Sequence, residues 1–147
     1  RDSYGTALES ALKMGETIHI PSCCYEIEEY IHGPNLQLTP QYNVIFFDGN
    51  DGASRRVEQV YKATRKVTNR AYLISNNPQL SRDGHVLSLS DTVSSELSPL
   101  VYLPFVQLLS FIVSNDLHSI YQHPLLKEFK AIAAAKTENF VNYDGDD

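Results

Sequence analysis

Residues 43–49, Asn43-Val44-Ile45-Phe46-Phe47-Asp48-Gly49, decide the fold. Four consecutive apolar, β-prone residues closed by Asp-Gly make a strand with no polar face to offer water. Such strands belong to parallel sheets that helices cover on both sides. The downstream sequence agrees. Residues 54–67 place Val57, Val60, Tyr61, Thr64 and Val67 along one side and mostly charges elsewhere, the pattern of an amphipathic surface helix. Ala71 to Ser75 and His85 to Leu89 read as further strands, with Asn76-Asn77-Pro78 and Asp83-Gly84 as turn chemistry between them. Strand, helix, strand in this order predicts the α/β class, a three-layer sandwich in which helices flank a parallel sheet with right-handed connections.

Upstream, Ala7, Leu8, Ala11, Leu12 and Ile18 recur at helical spacing and predict a first helix from Ser3 to Ile18, with Ser3 as N-cap and Pro21 as the stop. Tyr25 to Ile31 predicts a short second helix ended by Gly33-Pro34. The longest apolar stretch, Leu97 to Val113, is interrupted by Pro99, Pro104 and Gln107 and is short for a membrane span. It is expected to be a core helix over Leu100 to Asn115, kinked at Pro104. A helical stretch follows between His123 and Phe140, then an acidic end from Asn142 to Asp147.

A chain of 147 residues, 42% hydrophobic, can bury one core, so one domain is expected over 1–122, followed by a tail over 123–147. A net charge of −6 opposes binding along a nucleic-acid backbone. Cys23 and Cys24 are adjacent and lack the CxxC spacing of a metal or redox site, so they are expected to be buried small residues in a reduced, cytoplasmic chain holding no metal. No basic region followed by an apolar one opens the sequence, and Arg1 is not an initiator, which predicts a processed or excised chain.

Three residues of the first helix could carry chemistry. Glu9, Lys13 and Glu16 stand at i, i+4 and i+7, on one face. A lysine between two carboxylates can keep one ionised and ready to accept a proton, although the same spacing also builds ordinary salt-bridged solvent faces. His32, held before a rigid Gly33-Pro34 turn, could act as a general acid or simply interact with a helix C-terminus. His19, His85, His118 and His123 show no metal spacing; residues 48–52 end a strand and could approach a ligand at the carboxyl edge of the sheet, but they lack the glycine spacing of a dinucleotide loop and read rather as a plain turn.

Read jointly, residues 7–18 (Ala-Leu-Glu-Ser-Ala-Leu-Lys-Met-Gly-Glu-Thr-Ile) and 29–34 (Glu-Tyr-Ile-His-Gly-Pro) resemble the ALEGALKxKE and ExxHGP patterns of the sugar isomerase (SIS) domain family. Those patterns occur in the isomerase domain of glucosamine-6-phosphate synthase and in fructosamine-6-phosphate deglycases. Residues 96–109 resemble that family's last core helix, so the resemblance covers residues 3 to about 119. It implies a five-stranded, flavodoxin-like parallel sheet and a site for a sugar 6-phosphate, with no cofactor. It implies that Glu16 moves a proton between carbons 2 and 1, that Lys13 and Glu9 support it, and that His32 assists ring opening or leaving-group protonation from a neighbouring subunit. A homodimer with composite active sites follows from that last role, and Lys136 is the nearest match to a substrate-binding lysine near the C-terminus. The family's Ser-x-Ser-Gly-x-Thr phosphate loop and the strand before the first helix are absent from these residues. The chain therefore resembles the second half of a double-SIS enzyme. Residues 25–30 look more like the deglycases than the synthase, so the expected activity is that of a deglycase or a ketose/aldose phosphate isomerase. A synthase-type isomerase half, a sugar-phosphate-sensing module and a non-catalytic dimerisation half are the alternatives; Glu16 and His32 together favour catalysis.

Overall fold

The structure, a computed structural model, describes residues 2–80, 82–89, 93–119 and 126–133. Its helices are α1 (Asp2–Ile18), α2 (Ile27–Ile31), α3 (Ser54–Thr64), α4 (Ser98–Leu117) and α5 (Leu126–Ala133). Its strands are β1 (Val44–Phe47), β2 (Ala71–Ser75) and β3 (Val86–Ser88), joined in the order β1-β2-β3 with both pairings parallel. Among the described residues the sheet has three strands, where the family resemblance implied five.

The register pairs Phe46 with Leu73 and Phe47 with Ile74. Because neighbouring side chains on a strand point to opposite faces, Phe46 and Phe47 open separate layers. Phe46 packs edge-on to Tyr30 of α2 (5.8 Å between centroids) and to Tyr61 of α3 (6.0 Å), in a core completed by Val57, Val60, Ala71 and Leu73. Phe47 meets Tyr102 of α4 at 6.2 Å on the other side. The result is the expected sandwich, with α2 and α3 on one face and α4 on the other.

α1 lies beside α4 and runs the same way. Ser3 Oγ is 3.1 Å from Ser98 Oγ, Ser110 Oγ is 3.9 Å from Met14 Sδ, and Ser119 Oγ donates to the Thr17 carbonyl at 2.5 Å. The contact is made by small residues: Ser3, Thr6 and Ser10 are buried on α1, and Ser98, Ser110 and Ser114 on α4. Ser10 returns its hydroxyl to Thr6 O at 2.6 Å and Ser114 to Phe111 O at 3.0 Å, so these two serines are satisfied within their own helices.

Several sequence expectations need correction. Ser3 is inside α1 and buried against Ser98, so it is not an N-cap. α1 stops at Ile18, with His19 in the left-handed region (φ 61°), two residues before Pro21. Leu8 and Leu12, whose helical spacing marked α1, are 48% and 54% exposed, because the small-residue face took the inner position. α4 is likewise only partly a core helix: Tyr102 and Val106 are buried while Leu100 and Phe111 are 72% and 63% exposed. Residues Ser95–Leu117 are also long and apolar enough to cross a bilayer by length and composition. Cys23 is exposed and Cys24 partly so, against the expectation of burial, because the segment between α1 and α2 runs over the surface. Lys136, His123 and the acidic end lie outside the described residues.

Candidate functional site

The α-helical rise brings Glu9, Lys13 and Glu16 together as their spacing requires. Lys13 Nζ is 2.7 Å from Glu16 Oε2 and 3.5 Å from Glu9 Oε1. The Glu16 hydrogen bond holds the Lys13 ammonium above the ordinary lysine range, with Glu9 adding to it against a smaller opposing effect of partial burial. Lys13 therefore remains a cation through neutral pH and acts as a donor. All three side chains reach solvent, at 36%, 32% and 49% exposure for Glu9, Lys13 and Glu16. As an exposed triad it adds little to stability, about 0.3–0.5 kcal/mol per pair. What it provides is position: Lys13 occupies one oxygen of Glu16 and leaves the other open to a ligand.

His32 sits at the C-terminal end of α2, with φ −89° and ψ 1°. Its short helix is fixed from outside. Arg56 of α3 binds Glu28 through Nε at 2.8 Å, and the Tyr30 hydroxyl is 3.4 Å from Thr64 Oγ1. The guanidinium holds the Glu28 carboxyl below its usual range, so that tie persists into mild acid. His32 Nδ1 is 2.6 Å from Glu28 O. A carbonyl only accepts, so Nδ1 carries the proton and the neutral ring presents Nε2 outward as an acceptor. Either a base or, once protonated, an acid is thereby aimed into solvent. No hydrogen bond or ion pair joins His32 to Glu9, Lys13 or Glu16 among the described residues, so this chain brings the triad together and keeps the histidine apart.

Beside Glu16 lies an open cavity of about 490 Å³ lined by Ala11, Leu12, Gly15, Glu16, Ile20, Pro21 and Ser22. Gly15 is a helix-interior glycine, which costs about 1 kcal/mol against alanine. A Cβ there would meet only Ile20 O, at 4.0 Å, so no packing within the chain demands the glycine.

Sequence reasoning left residues 48–52 as a plain turn and missed what anchors it. Asp48 is 6% exposed; its Oδ2 accepts from Ser75 Oγ at 2.7 Å, its Oδ1 from Asn50 N at 3.0 Å, and its carbonyl from the Tyr102 hydroxyl at 2.5 Å. Gly49 is tightly placed, since a Cβ would stand 3.1 Å from Ser3 Oγ and 3.2 Å from Asp51 Oδ2, and both side chains would have to shift. These bonds join the end of β1 to β2 and α4 at the carboxyl edge of the sheet, the edge that binds ligands in open α/β folds. With its acceptors filled from within, Asp48 is an organiser of that edge. The signal available in the sequence was an aspartate directly ending an all-apolar strand. Cys24 is a poor nucleophile: burial pushes its thiol up to about 11, with Glu29 adding to it.

No family model and no curated protein matches the chain. Solved structures do. A candidate phosphosugar isomerase from Clostridium difficile 630 superimposes with a TM-score of 0.77 at 24% identity, over 94% of this chain and 38% of that one. A candidate sugar binding protein from Salmonella typhimurium LT2 gives a TM-score of 0.64 at 28% identity, over 75% of this chain and 33% of that one. The chain thus spans between a third and two fifths of the length of these neighbours. It has a parallel α/β fold of the kind seen in a candidate phosphosugar isomerase.

Proposed function

We propose that this chain is the catalytic-helix unit of an enzyme that processes a sugar 6-phosphate by moving a proton between carbons 1 and 2 of the open chain. The observation that carries the reading is the Glu9–Lys13–Glu16 triad, with one Glu16 oxygen held by Lys13 at 2.7 Å and a cavity alongside. A carboxylate so held has a fixed direction and a free lone pair, the two requirements for shuttling a proton between adjacent carbons. The fold shared with a candidate phosphosugar isomerase supports it.

Within this reading we favour a deglycase. On a fructosamine 6-phosphate, Glu16 takes a proton from carbon 1 and returns it to carbon 2 while the amine N–H proton passes to the carbon 2 oxygen, so the ketone becomes a hydroxyl and the C1–N single bond becomes an imine. Water then adds to that imine, the C–N bond breaks, and glucose 6-phosphate and the free amine leave. His32 Nε2, protonated, is suited to give the departing nitrogen its proton. In a homodimer, the partner subunit's copy of this histidine would serve the site. A ketose/aldose phosphate isomerase uses the same proton transfer and stops before the hydrolysis.

Incubation of the full-length protein with fructose 6-phosphate and with 6-phosphofructosamines in deuterated water tests the core of the proposal. Deuterium should enter at carbon 1 or 2. Absence of exchange with every substrate would overturn it. The second reading, a sugar-phosphate-binding module without turnover, draws on the candidate sugar binding protein among the structural neighbours. It predicts saturable binding with no exchange.

A further inference from the structure

The surface of α1 divides at Glu16. At 100° per residue, Glu9 and Lys13 lie to one side of Glu16 around the helix, and Leu12, Gly15 and Ala11 follow in turn on the other. Ile20 and Pro21, beyond the helix end, fold back to wall that second side of the open cavity of about 490 Å³. Of its seven lining residues only Glu16 and Ser22 have polar side chains. A polyhydroxyl chain fits such walls badly, since each hydroxyl taken from water needs a partner that alanine, leucine, glycine, isoleucine and proline do not offer. The polar side of the helix suits the sugar; the apolar side has to suit something else attached close to carbon 1.

We infer that this cavity is a specificity pocket for an apolar substituent on the amine nitrogen of a fructosamine 6-phosphate, with Leu12, Gly15 and Ile20 as the residues that set the preference. The inference rests on the deglycase reading above and deepens it by naming the substrate class. Three observations converge. The cavity adjoins the carboxylate assigned to carbon 1, the atom that bears the amine. Leu12 and Ile20 face it while remaining 54% and 48% exposed, so the chain's own packing leaves them room for a ligand. Gly15, which nothing within the chain requires, keeps the floor open, its Cβ position standing 4.0 Å from the nearest atom, Ile20 O.

The test compares amine release from 6-phosphofructosyl-leucine and 6-phosphofructosyl-glycine by the full-length protein. A half-open apolar pocket should favour the leucine compound by about tenfold or more in kcat/KM. Ile20→Asp should bring the ratio near one. Gly15→Ala should lower the ratio while raising the melting temperature, a combination that a purely structural glycine does not give. Equal use of the two substrates, a preference for the glycine compound, or an Ile20→Asp variant with an unchanged ratio would each overturn the pocket while leaving the deglycase reading intact. Deuterium exchange into fructose 6-phosphate with no amine release from either compound would overturn the pocket and the deglycase step but leave the proton transfer. No exchange and no release would overturn the whole assignment.

Discussion

Replacing Glu16 by glutamine separates a catalytic carboxylate from one that merely decorates a helix. The substitution keeps shape, volume and helix propensity and removes only the charge and the ability to accept a substrate proton. Its structural cost can be bounded from the geometry. The single interaction lost is the ion pair to Lys13 at 2.7 Å, between side chains 49% and 32% exposed. Pairs of this kind are screened and are worth about 0.3–0.5 kcal/mol, and glutamine retains part of the hydrogen bond. For a chain of this size the melting temperature should fall by no more than roughly 1–2 °C. A lost general base removes on the order of 10²–10⁴ in rate. The two effects differ so much that one variant decides the matter. Turnover and solvent deuterium exchange should be measured beside a calorimetric titration with fructose 6-phosphate and a thermal melt. The expected result is exchange and turnover lost by at least a hundredfold with Kd within about threefold of wild type. Turnover within threefold of wild type would refute the role of Glu16, and a large loss of binding or of melting temperature would make it a structural residue.

If the partner subunit's histidine serves each site, Glu16→Gln and His32→Ala subunits, each inactive alone, should rescue one another on exchange. Half the dimers formed at random are mixed and each holds one intact site, so activity should return to about one quarter of wild type; no recovery after demonstrated exchange refutes the shared site. Tyr102→Phe deletes a buried donor to the Asp48 carbonyl and should destabilise the chain by about 1–3 kcal/mol, measured by urea denaturation with the m-value unchanged. Burial, with the Asp48 charge adding, pushes the Tyr102 phenol from 10.0 up to about 12. A folded pKa raised in this way means the fold retains a proton that the unfolded chain releases. Its contribution is whole below pH 10 and is lost as pH rises towards 12, on the order of 2–3 kcal/mol. Tyr102→Phe should flatten that alkaline decline, and an unchanged slope in urea midpoints between pH 9.5 and 11.5 counts against the buried phenol.

The sheet was legible because its signal is local. Four apolar β-prone residues in a row, closed by Asp-Gly, leave no other packing, and the strands and α3 fell within a few residues of their expected places. The triad was equally local, since three residues at i, i+4 and i+7 meet on any helix. The role of Asp48 was hidden, because its partners Ser75 and Tyr102 lie 27 and 54 residues away and only the fold brings them together. The cavity was hidden for the same reason, since it depends on Ile20 and Pro21 turning back over α1.

Which side of α1 faces inward has a physical cause that bears on the site. Leucine and alanine at helical spacing predict a buried apolar stripe when helices pack at ordinary distance. α1 and α4 instead run side by side through Ser3, Thr6, Ser10, Ser98, Ser110 and Ser114, and small side chains let backbones approach closely while dispersion contacts replace bulky burial. The serine hydroxyls that return to carbonyls of their own helices, Ser10 to Thr6 O and Ser114 to Phe111 O, lower the cost of an apolar-poor interface. Turning the small face inward rotates Leu8 and Leu12 out to solvent, and the same rotation sets Glu9, Lys13 and Glu16 outward with them. Had the leucines packed against α4, Ala11 and Gly15, on the same side of the helix, would have turned with them, and the wall beside Glu16 would be closed by α4. The close serine contact is therefore what leaves the Glu16 carboxylate and its apolar neighbour cavity facing solvent.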